Sequence, residues 1–169
     1  MKKIIFILLF LLIIPFDCFA FRYVGVGAGP GFGLKGFDGT KYFINAEWQP
    51  SEHVGTRFFV GFPQGVWLGV GLNFSFSTTD SFSRSVKLTA NGGIPFILNI
   101  RDSSKTAFFG FNAGGTLSFD TDGRGIYYIY VTPVELFFIP VTWQISPSGG
   151  FDLTSNIFML TAVGFRASI

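Results

Sequence analysis

A chain of 169 residues is long enough for one domain and too short for several. Its formal charge of +2 gives no reason to expect nucleic acid or an acidic substrate, and a single cysteine excludes a disulfide framework. The composition is unusual in another way: 19% of residues are aromatic, 24 of them Phe, and only 13% are charged, against about 25% in soluble domains.

The first twenty residues read as a secretory signal peptide. Lys2 and Lys3 make a basic start, Ile4 to Ile14 is an unbroken apolar run, and Pro15 breaks it. Cys18-Phe19-Ala20 places small residues at both positions that precede a cut between Ala20 and Phe21. The apolar run is far shorter than the ~20 residues a helix needs to span a bilayer, which argues against an anchor. An acylated Cys18 is the other alternative. Against it, Pro15 and Asp17 stand where a lipoprotein signal has leucine and a small residue. The expected domains are therefore a signal peptide over 1–20 and a mature domain over 21–169.

The mature chain opens on Phe21 to Leu34, where Gly25, Gly27, Gly29, Gly31 and Gly33 alternate with Val24, Val26, Ala28, Pro30, Phe32 and Leu34. Alternate side chains of a strand point to opposite faces, so this strand has one apolar face and one bare face. A bare face suits the crowded inside of a narrow barrel, and the apolar face then looks outward into lipid. Lys41 to Gln49 continues the pattern, with Tyr42, Ile44, Ala46 and Trp48 opposite Lys41, Asn45, Glu47 and Gln49. After a turn at Pro50, Val54 to Phe62 sets Gly55, Arg57, Phe59 and Gly61 on the inner side. Val66 to Ser77 alternates most cleanly, with Val70, Leu72 and Phe74 opposing Gly71, Asn73 and Ser75.

Thr78 to Ser83 reads as a turn, and Arg84 to Ile100 as a strand with Lys87 and Asn91 inward. Asn91-Gly92-Gly93 marks either a bulge or a turn that would split this run. Thr106 to Asp120 alternates again, and Asp120 to Gly125 is a turn. Ile126 to Phe138 reads as a strand with Tyr128, Tyr130, Val134, Leu136 and Phe138 outward and Glu135 inward. Near Pro140 the phase changes, which means a bulge, a strand end or a small hairpin. Ser146 to Asn156 is loop-like, and Ile157 to Ile169 closes the chain with Arg166 inward.

The pattern predicts an all-β, antiparallel, up-and-down transmembrane barrel of eight strands, or ten if both doubtful runs split. Charges on strand bodies, Glu47, Arg57, Lys87, Glu135 and Arg166, all lie opposite the apolar stripe. A hairpin centred on Ser51 and Glu52 places Glu47 opposite Arg57, as a lumen ion pair.

At this point the chain resembles the small eight-stranded outer-membrane barrels, the group around OmpX, OmpW and the OmpA membrane domain. The resemblance covers Phe21 to Ile169 and rests on architecture and the C-terminal strand. There Gly164, Ala167 and Ile169 match the segment that the barrel-assembly machinery reads, with Ile169 where phenylalanine is usual and Ala167 where a larger residue is. It implies an outer-membrane location, extracellular loops, and a structural or surface-interaction role such as adhesion or membrane support. The alternative it leaves open is a narrow porin-like channel for small or apolar solutes. Expected partners are outer-membrane lipid, the assembly machinery and an unidentified surface ligand. The expected state is a monomer, with no nucleic acid and no cofactor.

Motifs for other chemistry are weak. Gly31 to Gly36 fits GxGxxG, but a phosphate cradle needs a helix after it, and Phe37-Asp38-Gly39-Thr40 reads as a turn. His53 is the only histidine, so a metal site or triad would need improvised carboxylates, and no enzyme is expected. Trp48, Trp143, Tyr42 and Phe62 near strand ends mark either a ligand mouth or the interfacial aromatic girdle.

Overall fold

The computed structural model describes residues 23–169 apart from 38, 52, 64, 79–85, 102–103 and 147. The expected signal peptide and its cut between Ala20 and Phe21 lie outside the described residues. Eight strands follow in chain order: β1 Tyr23–Lys35, β2 Thr40–Gln49, β3 Val54–Phe62, β4 Val66–Thr78, β5 Val86–Arg101, β6 Ser104–Asp120, β7 Tyr127–Gln144 and β8 Phe151–Ser168. Each pairs antiparallel with the next, and β8 returns to β1 to close the barrel. Closure leaves no sheet edge with unpaired amides, the condition for strands in lipid. Of the two strand counts open at the sequence level, eight is the one that forms.

The bare face of β1 points inward, as the alternation predicts. A Cβ on Gly27 would run into the Tyr130 hydroxyl and the Asn45 side chain, and one on Gly29 would fall on the Thr161 carbonyl of β8. Glycine at these positions admits the lumen side chains and the neighbouring backbone.

Three expectations change. Asn91-Gly92-Gly93 neither turns nor bulges, since Gly92 and Gly93 stay in register with Phe74 and Asn73 on one side and Ala113 and Asn112 on the other. The final strand begins at Phe151, not at Ile157, because β7 continues through the phase change and pairs Trp143 with Phe151. The third change matters most. Tyr128 and Tyr130 are buried in the lumen at 3% and 0% exposure, where unbroken alternation from Glu135 would face them outward. The register with β8 shifts between Thr132 and Glu135, and that with β6 between Val131 and Val134, so β7 carries an extra residue around Pro133. A proline cannot donate to the ladder and is confined to such bulges or to edges, and the bulge reverses the phase.

An even strand count puts Tyr23 and Ser168, the outer ends of β1 and β8, at one end of the barrel, here called the near end. Connections at the far end are short: 36–39, 63–65, 102–103 and 145–150.

Candidate functional site

The lumen has two zones. Its far half is an aromatic core of Phe43, Phe59, Trp67, Phe108, Phe137 and Phe158, completed by Ile97, Ile139 and Leu160, with Phe37 packed on it. Phe137 stacks on Phe158 at 4.4 Å between centroids, and Trp67 stacks on Phe108 at 5.3 Å. Between Phe43, Trp67 and Phe158 only about 10 Å³ remains, room for roughly one water molecule. A polar interior is usual for an outer-membrane barrel. Here half of the interior is packed like a soluble core.

The other zone is ionic. Glu47 stands opposite Arg57 in the β2–β3 register, and their side chains approach to 3.5 Å. The shorter contacts of each run elsewhere. Arg57 Nη1 donates to both oxygens of Glu135 at 2.7 Å, and Arg166 donates to Glu47 Oε2 from Nη2 at 2.9 Å and from Nε at 3.2 Å. The pair expected from the hairpin is thus the long central link of a chain Glu135–Arg57–Glu47–Arg166. All four are at most 5% exposed, and two positive charges balance two negative ones.

Neutral groups complete the network. Asn45 donates to Glu47 at 3.0 Å and to the Tyr130 hydroxyl at 3.1 Å, Asn112 donates to Glu135, and Arg166 Nη1 donates to Ser118 at 3.2 Å. With its amide oxygen turned toward Arg57, Asn73 accepts from Nη2 and Nε at 3.3 and 3.2 Å. The Arg166 guanidinium lies 4.4 Å from the Tyr23 ring and 4.3 Å from the Tyr130 ring. Lys87 lies nearer the near end, its Nζ 4.7 Å from the Tyr128 ring. Buried charges are tolerated only when paired and hydrogen-bonded, and each member of this quartet is both.

The outer face is the converse. Large apolar side chains on every strand, such as Val26, Ile44, Phe58, Leu72, Phe96, Phe111, Val134 and Phe165, are 41–64% exposed to solvent. Patches of this extent are foreign to soluble monomers and ordinary against lipid. Trp48, Trp143, Tyr42 and Phe62 belong to this face, at 39–56% exposure. They flank the apolar band near the strand ends, as an aromatic girdle does, and do not ring the lumen. In architecture the chain resembles the small eight-stranded outer-membrane barrels.

No known protein family and no curated protein matches the chain in sequence. Among solved structures it is similar to Neisserial surface protein A (NspA), at 11% identity over 88% of this chain and 97% of that one, with a TM-score of 0.49. It is also similar to the N-terminal β-barrel domain of Pseudomonas aeruginosa OprF, at 12% identity over 85% and 96%, TM-score 0.44. A third likeness is to Ail, the attachment invasion locus protein of Yersinia pestis, at 9% identity over 88% and 99%, TM-score 0.25. At this distance no residue role carries across.

The remaining sequence candidates fall outside the lumen network. His53 sits in the 50–53 turn, with Nδ1 3.1 Å from the Ser75 carbonyl oxygen and its ring stacked on Phe76. Gly31 to Lys35 of the GxGxxG match is strand, so no helix N-terminus follows it. Gly164 faces inward and is closely approached by Val26 of β1 and Tyr130, while Ile169 is 64% exposed beyond the end of β8. Ala167 pairs with Val24 and Tyr127 on the two flanking strands.

Proposed function

We propose that this chain is an integral outer-membrane barrel with a sealed lumen, a structural element of the membrane and not a conduit. The single observation that carries the reading is the filling of the lumen by two consecutive plugs, aromatic in the far half and ionic in the near half. A channel needs a continuous polar path, as in wider porins, and eight-stranded barrels have room only for side chains. The apolar outer band and its flanking aromatic girdle support an outer-membrane location. The short far-end turns favour membrane support over loop-mediated adhesion. We read the chain as non-catalytic and monomeric, with lipid and the barrel-assembly machinery as its partners. The latter would engage Gly164, Ala167 and Ile169 of the closing strand.

Planar-bilayer recording of the refolded mature protein tests the reading. The expected trace is flat at physiological salt. Reproducible single-channel steps from the unmodified barrel would restore the porin-like alternative.

A further inference from the structure

We infer that the barrel sorts lipid by acyl-chain length around its circumference, holding short chains along β2 and β3 and long chains along β6 to β8. The inference rests on the membrane reading above and adds a partner chemistry to each side of the wall.

The wall is of unequal height. β2 and β3 have 10 and 9 residues and β4 has 13, whereas β5 has 16, β6 has 17, and β7 and β8 have 18 each. β1 returns to 13. The lengths therefore pass through one minimum and one maximum around the closed sheet, and in a ring of eight the β2–β3 pair lies diametrically opposite β6–β7. With a rise of about 3.3 Å per residue and a strand tilt of about 40°, β3 makes a wall roughly 23 Å tall. Two residues of β7 are taken up by its bulges against β6, and the rest make a wall roughly 40 Å tall.

The extra height is apolar. On β2 the outward apolar stripe runs only from Tyr42 to Trp48, and Thr40 follows it on the same face. On β7 the stripe runs from Tyr127 to Trp143, and on β8 from Phe151 to Phe165, with no outward charged side chain in either. Tyr127, Phe151 and Leu153, toward the ends of the tall wall, are 58%, 72% and 88% exposed.

A lipid-facing band is ordinarily ~25 Å tall, which β2 and β3 match and β7 exceeds by about 15 Å. Tilting the barrel does not remove the difference, because tilt foreshortens opposite walls by the same factor. Around a monomer, an apolar layer of graded thickness covers both sides. Mismatch costs free energy for every ångström of wall left uncovered or overlapped, so each chain length is favoured where it fits.

The test places one lipid-facing tryptophan on each wall, Phe58→Trp on β3 and Phe111→Trp on β6, in a background carrying Trp48→Phe and Trp143→Phe. Both positions are outward, at 53% and 54% exposure, and Trp67 stays in the lumen as a common background. Each variant is refolded in dioleoyl phosphatidylcholine, and quenching is measured with added brominated dimyristoleoyl or brominated dierucoyl phosphatidylcholine. The preference for the long lipid over the short one should be at least about twofold greater at position 111 than at position 58. Val60→Trp and Phe109→Trp repeat the comparison if either substitution blocks folding. An equal preference on the two walls would overturn the inference and leave the membrane barrel intact. Quenching at position 58 with none at position 111 would also overturn it, since protein would then cover the tall wall. Absence of quenching at both positions would overturn the membrane reading together with the sorting.

Discussion

Arg57 on β3 reaches across the lumen to Glu135 on β7, its Nη1 2.7 Å from both carboxylate oxygens, although the two residues are 78 positions apart in sequence. No hairpin pairing brings them together. Only closure of the barrel does, and the contact braces strands that share no backbone hydrogen bond.

Coupling energies should follow that geometry. Arg57→Ala should destabilise the barrel by about 3–5 kcal/mol, because it leaves Glu135 and Glu47 buried with too little positive charge. In double-mutant cycles the Arg57–Glu135 coupling should exceed the Glu47–Arg57 coupling, matching contacts of 2.7 and 3.5 Å. Urea unfolding in lipid vesicles measures both. Equal coupling, or single losses below about 1 kcal/mol, would mean that the lumen is wet and screens the quartet.

Gly29→Ala should be among the costliest small changes in the chain. The added methyl would fall on the Thr161 carbonyl, which is backbone and can yield only if β8 moves. Overpacking of this kind costs about 1–3 kcal/mol. Gly123→Ala is the contrasting control, since no atom lies within 4 Å of its Cβ position. It has a positive φ of 68° in a solvent-exposed turn, so its cost would come from backbone strain alone. A barrel that accepts Gly29→Ala with unchanged stability would contradict the close β1–β8 approach.

The two faces of β4 should respond oppositely to lipid probes. Val70 is 41% exposed on the outer face and Asn73 is 5% exposed on the inner one. Brominated lipid should quench a fluorophore at position 70 and leave one at position 73 untouched. Val70→Arg should cost about 2–4 kcal/mol near the bilayer midplane and less near an interface. Equal quenching at both sites would rule out a closed barrel in lipid.

The aromatic plug should contribute to stability as a core does and should seal the lumen redundantly. Phe137 is 1% exposed and lies against both Phe158 and Phe59. Phe137→Ala should therefore cost about 3–5 kcal/mol. It should not open the barrel, because Phe43, Trp67 and Phe158 still fill the section. Bilayer conductance of that variant checks this. Ion flow through the single variant would locate the seal at one ring and contradict a shared plug.

The alternation of β1 to β4 showed which residues face the lumen before any pairing was known. Period two leaves no freedom once one face is apolar enough to require lipid. The hairpin at Pro50 likewise placed Glu47 opposite Arg57, since a short turn fixes register locally. Tyr128 and Tyr130 were not legible in the same way. Their orientation depends on one extra residue at Pro133, and a bulge is decided by pairing with both neighbouring strands. Pro133, which cannot donate to a ladder, was the signal available in the sequence.

The sequence by itself determined the faces of β1 to β4, the barrel class and the inward position of Glu47, Arg57, Lys87, Glu135 and Arg166, because these follow from local periodicity and from the cost of charge in lipid. Tertiary structure decided which charges meet. Glu135 joins Arg57, and Arg166 joins Glu47, only because closure brings distant strands around a lumen narrow enough for side chains to cross. The same closure brings Phe43 of β2 against Phe158 of β8, which the β7–β8 pairing already sets beside Phe137. Contacts across a barrel depend on strand number and stagger, which belong to the whole sheet and to no single strand.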